Sequence, residues 1–329
     1  MTTSRDALPA HSAVDGASRL QYHRLARSAR SYRWWRPLLV AGVGAGFYGT
    51  FMLGALLWAG VAALLSPGFA AAADAFATSA HDVSDPLVLA VTLLSLIALL
   101  PSLFIAQLLV GTKPVGLLSS VAGHLRWRML ARSLRVAFAV FAIAQCITVA
   151  ISAAQGEPLA QHVDASTALP ALVISVLLVP FQAAAEEYVF RGFLMQTIGG
   201  WLRHPLFSVL LPMPVFVVAH GYDPLGQASV AAFAIVAGWL TIRTGGLEAA
   251  IGLHVVNNLA VFGLGALGLG DVNATSLGPI DLVVSIATMA VYAAVVVWQF
   301  RRGAHASTRD VPESRSLAST ADRQPGMPG

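Results

Sequence analysis

The sequence predicts an all-α, polytopic integral membrane protein with about eight transmembrane helices and both termini cytoplasmic. Three observations predict it. Of the 329 residues, 57% are hydrophobic and 11% charged, against roughly 45–50% and about 25% in soluble domains, and the mean hydropathy is +0.71. Apolar stretches of about 18 residues or more recur, each long enough to cross a hydrocarbon layer about 30 Å thick at about 1.5 Å per residue. The segments between them alternate in charge. A soluble globular protein is thereby excluded. So is a transmembrane β-barrel, because the apolar runs are continuous and lack a period of two. Cys146, the single cysteine, lies within an apolar run, so there is neither a disulfide framework nor a cysteine metal site.

In chain order, residues 1–36 read as an Arg-rich cytoplasmic tail with Arg5, Arg19, Arg24, Arg27, Arg30, Arg33 and Arg36. This charged stretch is too long for a secretory signal, and the Trp34–Trp35 pair suits the headgroup level. Spans are expected at about 37–66, 86–110, 135–153, 169–198, 205–221, 225–243, 247–268 and 280–300. They divide the chain into the first three spans with their loops (37–168), a stretch holding the polar membrane residues (169–268), a last transmembrane helix (269–300) and a Ser-, Pro-, Ala- and Arg-rich tail (301–329), expected to be disordered. The glycines of the first span, Gly42, Gly44, Gly46 and Gly49, suit close helix packing. Residues 111–135, with Leu117, Leu118, Val121, Leu125, Met129 and Leu130 among basic neighbours, read equally as an interfacial helix or as an ordinary basic loop.

Segments 67–85, 154–168, 221–225 and 269–281 contain no Lys or Arg but hold Asp74, Asp82, Asp85, Glu157, Asp164, Asp223, Asp271 and Asp281. Lys113, Arg126, Arg128, Arg132, Arg135, Arg203, Arg243, Arg301 and Arg302 fall between or beyond the other spans. The positive-inside rule then places both termini in the cytoplasm. It also accounts for the net charge of +4 without a nucleic-acid partner; the bilayer is the partner that this charge pattern addresses. Almost exclusive use of Arg over Lys, with abundant Ala, points to a GC-rich bacterial source and hence to the plasma membrane.

Ionisable side chains inside a span are costly and mark functional sites by default. The fourth span holds Glu186, Glu187 and Arg191, the fifth ends in Phe216 and His220, and the seventh carries His254, Asn257 and Asn258. Glu187 and Arg191 are four apart and share a helix face, which suits a structural ion pair. Glu186 is rotated about 100° from its neighbour and is free for another partner. His254 and Asn258 share a face, as do Phe216 and His220. Three helices thus offer a carboxylate, two imidazoles and an amide, the ingredients of a general base, a metal site or an oxyanion hole. Asn257, Phe190 and Phe216 read as packing residues, and Glu248 as interfacial. Depth counting sets Glu186 near mid-membrane, His254 about 10 Å from the inner face and His220 towards the outer end of its span. Pro212 and Pro214 predict that this span is bent or re-entrant.

Glu186-Glu187-Tyr188-Val189-Phe190-Arg191-Gly192, then Phe216-x-x-Ala219-His220, then His254-x-x-x-Asn258 resemble, in order and spacing, the signature of the CPBP family: the CAAX protease and bacteriocin-processing, ABI or Rce1-like proteins, including the type II CAAX prenyl endopeptidases. The turn Thr244-Gly245-Gly246-Leu247 is also similar. The resemblance covers about residues 170–265 and makes 169–268 the catalytic core. It implies a membrane-embedded endopeptidase, of glutamic or metallo type, acting on a membrane-associated peptide or protein. Glu186 would be the base, His220 its partner, and His254 with Asn258 the oxyanion donors, with Glu187 and Arg191 as structural support. The attacking water admits two forms: one held by Glu and His alone, or one on a zinc ion held by Glu186, His220 and His254. Two rival readings use the same residues. A catalytically silent scaffold or immunity-type partner-binding protein needs no turnover. A proton-coupled transporter also places Glu, Arg and His at membrane depth, but the polar groups here cluster in three spans with no inverted repeat.

Overall fold

Prolines and their caps set where the helices begin. Pro86, Pro205, Pro224 and Pro279 each stand in a first helical turn, where a missing N–H has no intrahelical partner to lose. Asp85 accepts from the amides of Leu87 and Val88, and Asp223 from Gly226, so two of these turns are also N-capped by a carboxylate. The computed structural model describes residues 17–78, 82–156, 160–303 and 306–312.

The helices are α1 (Arg36–Leu65), α2 (Pro67–Thr78), α3 (Pro86–Ile97), α4 (Leu99–Val110), α5 (Trp127–Gln155), α6 (Ala165–Glu187), α7 (Met195–Trp201), α8 (Pro205–Leu210), α9 (Met213–Val218), α10 (Pro224–Thr244), α11 (Glu248–Ala266) and α12 (Pro279–Arg302). Helices α3 and α4 form one span offset at Ala98, where Pro101 has no N–H to give to Ile97. Helix α6 continues through a π-type turn at Tyr188–Leu194 into α7. Among the described residues seven helices are long and apolar enough to cross a membrane. The eighth expected span is the short pair α8–α9, broken at Leu211–Pro212. The protein is thus all-α and multi-pass, with one expected crossing replaced by a broken helix.

Each end of the bundle collects one sign of charge. At the acidic end, Asn273 donates to Asp82 (2.7 Å) and accepts from the Val83 amide (3.0 Å), Gln161 donates to the Gly268 carbonyl (2.8 Å), and Asp223 to Thr275 (2.8 Å). At the basic end, Val121 donates to Gly245 (2.8 Å) and Leu247 to Ser119 (2.9 Å), while Tyr22 donates to the Leu118 carbonyl. The loops sorted by charge in the sequence are therefore neighbours in space.

Four local expectations are corrected. Of the two readings of 111–135, the interfacial helix is not seen: residues 111–126 form a loop with one 3-10 turn at Val115–Leu118, in which Leu117, Leu118 and Val121 are buried in the core. Helix α5 begins at Trp127, eight residues before the expected 135, because no Gly or Pro interrupts the basic run. Of the first-span glycines, Gly44 meets Ala106 of α4, but Gly42, Gly46 and Gly49 face open space within this chain. In the tail expected to be disordered, Thr308–Pro312 forms a strand paired with Ala17–Gln21; residues 1–16 and 313–329 lie outside the described residues.

Candidate active site

Helix α11 carries two of the expected site residues and is fixed at its start by several independent ties. Arg126 makes a two-pronged pair with Glu248 (Nε–Oε1 2.9 Å, Nη2–Oε2 2.7 Å) and also donates its backbone N–H to Oε1 (2.8 Å). Glu248 is therefore a fully buried anchor and not the interfacial side chain expected. Tyr292 of α12 donates to the Ala249 carbonyl (2.7 Å). Gly252 lets α5 approach closely: a Cβ there would stand 2.8 Å from the Ser133 Cβ. His254 follows two residues later, so its position rests on this packing.

The site is one chain of contacts between α6 and α11. Arg191 donates to Glu187 (2.9 Å), and His254 Nδ1 donates to the same Glu187 oxygen (2.8 Å). Because a carboxylate only accepts, Nδ1 carries a proton and Nε2 is directed elsewhere. Nε2 lies 3.7 Å from Glu186 Oε2. The other oxygen of Glu186 accepts from Gln182 (2.7 Å), whose carbonyl accepts from Asn258 (3.0 Å), which in turn accepts from Asn257 (3.0 Å). Glu186 is 7% exposed, Glu187 0%, Arg191 4% and His254 2%. Glu186 Oε2 is buried with no hydrogen-bond partner among the described residues. Glu187 Oε2 is likewise buried with no hydrogen-bond partner among the described residues, and of the two it is Glu186 Oε2 that faces His254 Nε2.

Aromatic rings close the other side. The Arg191 guanidinium lies 4.4 Å over the Phe216 ring and 5.6 Å over Phe233. His254 stands edge-on to Phe233 (5.0 Å) and Phe216 (6.2 Å). Phe216 therefore does more than pack, which was the expectation for it.

Glu186, His254 and Asn258 are brought together; His220 is not. It follows α9, rests on Phe216 (4.7 Å between ring centres) and donates Nδ1–H to the Phe216 carbonyl (2.7 Å), leaving Nε2 as its lone-pair nitrogen. Phe216 contacts both imidazoles, and among the described residues His220 makes no hydrogen bond or ion pair with Glu186 or His254. The zinc set expected from Glu186, His220 and His254 is accordingly not assembled: Glu186 and His254 supply two donors, and among the described residues no three His, Cys, Asp or Glu side chains are placed to hold a metal ion. One residue was missed in the sequence: Gln182 sits four before Glu186, a spacing that places its amide on the same face. Asn257, expected to pack, also supports Asn258 directly.

Comparison with known proteins finds similarity over the same part of the chain. The model of the Rce1-like type II CAAX prenyl endopeptidase family matches residues 166–260. The uncharacterized protein YyaK of Bacillus subtilis (strain 168) is 29% identical over 185 residues, covering 54% of this chain and 61% of that protein. The chain thus spans less than two thirds of the length of this curated relative. No solved structure matches. The stretch matched by that family model, residues 166–260, is the one that holds Glu186, His220, His254 and Asn258.

Proposed function

We propose that the protein is an intramembrane endopeptidase of the plasma membrane that cleaves a membrane-associated peptide or protein, with Glu186 as the base. The observation that carries this reading is the unpartnered Glu186 Oε2 3.7 Å from His254 Nε2. A water between these atoms would lose a proton to Glu186 as its oxygen attacks a peptide carbonyl. The oxyanion then needs donors. His254 supplies one from Nε2 when doubly protonated, a state in which the charges of Glu186, Glu187, Arg191 and His254 cancel inside the membrane. Asn258 supplies another on turning from Gln182. Glu186 finally returns the proton to the leaving amine. For His220 to act as the partner of Glu186, α9 must move about the break at Leu211–Pro212, because His220 Nδ1 is held on the Phe216 carbonyl.

The test compares native membranes containing wild type with membranes containing Glu186→Ala, by mapping new peptide termini and by crosslinked pull-down. Termini that disappear in the variant, with their parent proteins enriched on it, are the expected result. Identical termini from both, with the same partners captured, would replace the protease with a partner-binding scaffold.

A further inference from the structure

A second polar cavity lies at the basic end, where the two ends of the described chain meet, away from Glu186. Strand β1 (Ala17–Gln21) pairs antiparallel with β2 (Thr308–Pro312), with Arg19 opposite Asp310 and Leu20 opposite Arg309. This ribbon walls one side of a cavity of about 400 Å³, whose other walls come from residues 28–31 and from Lys113, Pro114 and Leu117. Small-ligand sites occupy about 300–1,000 Å³.

The charge of this cavity is one-sided. Arg30, Lys113 and Arg309 line it, and Asp310, the acid among its lining residues, faces Arg19 at 3.4 Å. Arg309 and Lys113 are held in place yet keep donors for a ligand. Arg309 uses Nη1 on the Val121 carbonyl (3.2 Å), which leaves the rest of its fork. Lys113 gives two of its three ammonium protons to the carbonyls of Gln107 (3.2 Å) and Leu108 (2.5 Å) at the end of α4. Ser31 accepts from the Lys113 amide (3.4 Å) and retains its hydroxyl proton to donate. Arg30 is exposed at the rim. Two arginines, a lysine and a serine lining one space are the residue types that take the oxygens of a phosphate group.

We propose that this cavity binds a phosphate group, and that the group is the headgroup of a membrane phospholipid. The headgroup source follows from position. Trp34 and Trp35, 65% and 45% exposed, stand just beyond residues 28–31 and mark the headgroup level beside the lipid-facing Leu38 and Leu39. The β1–β2 pairing forms one wall of this cavity, so occupancy also ties the two terminal segments to the membrane surface. The inference is independent of the proteolytic reading.

The test uses the full chain in detergent, with binding of short-chain phosphatidic acid, short-chain phosphatidylcholine and inorganic phosphate measured by native mass spectrometry and by thermal shift. Arg30→Gln and Arg309→Gln are compared with Arg33→Gln and Arg302→Gln, which lower the net charge equally but lie outside the cavity. Phosphatidic acid is expected to bind more tightly than the other two, and to weaken at least tenfold in the cavity variants with the control variants unchanged. Arg30 is exposed, so its variant keeps the test valid if Arg309→Gln disturbs the ribbon. Inorganic phosphate binding as tightly as phosphatidic acid would overturn the lipid source. Equal loss in cavity and control variants, or none in either, would overturn the site.

Discussion

Glu187 shows how one side chain can serve both stability and chemistry. Its Oε1 takes Arg191 on one side and His254 on the other. Removing either member of the Glu187–Arg191 pair strands a buried charge at about 3–5 kcal/mol, whereas removing both is milder. Thermal unfolding of Glu187→Ala, Arg191→Ala and the double variant should show that pattern. Activity should separate from stability: the double variant regains stability but not turnover, because His254 Nδ1 has lost its acceptor. Single variants as stable as wild type would mean that the ion pair carries no weight. Asn258 offers a second contrast. As an oxyanion donor its loss should cut kcat about 10²–10³-fold with KM little changed. Gln182→Ala should cost less, since Gln182 positions Glu186 and Asn258 without meeting the substrate. A larger loss for Gln182 than for Asn258 would reverse those roles.

At the scale of elements, the short helical cap at Tyr22–Ser28 shows how a soluble segment is fastened to a membrane bundle. His23 is buried, its Nε2 donates to the Arg203 carbonyl (3.2 Å), and its Nδ1 has no hydrogen-bond partner among the described residues. A Cβ at Gly199 would stand 1.9 Å from the His23 carbonyl oxygen, so α7 requires glycine where the cap docks. Burial pushes the His23 imidazole below its ordinary range. The folded cap then binds fewer protons than the unfolded chain, so the contribution of His23 is complete above about pH 6.5 and shrinks as pH falls from there through the lower folded value. Hydrogen exchange across 17–28 should quicken on acidification below that point, and His23→Asn should abolish the dependence. An unchanged pH dependence in the variant would assign it elsewhere.

Across the whole molecule, the sorting of charge between the two ends predicts orientation. In a Cys146→Ser background, a membrane-impermeant thiol reagent should label Asn273→Cys in intact cells and Ser307→Cys only after lysis; the reverse would invert the topology. The sequence alone determined that the chain is an all-α membrane bundle, which loops share an end, and that Glu186, Glu187, Arg191, His220, His254 and Asn258 stand out. Hydrocarbon makes each of these a local statement: a span needs about 20 apolar residues, and a charge inside one is costly wherever the helix ends up. The α8–α9 break was legible for the same reason, in Pro212 and Pro214. Only the tertiary structure decided who touches whom. That Glu187 is shared between Arg191 and His254, that Gln182 and Asn257 extend the network, that Arg126 fixes Glu248, and that Phe216 contacts both His220 and His254 all depend on the rotation and depth of α6, α9 and α11 against one another. Helical periodicity fixes which residues share a face; which face meets which neighbour is set by packing, as where Gly252 admits α5. The 308–312 strand was hidden for a related reason: its pairing partner lies at the opposite end of the chain, and no local pattern records it.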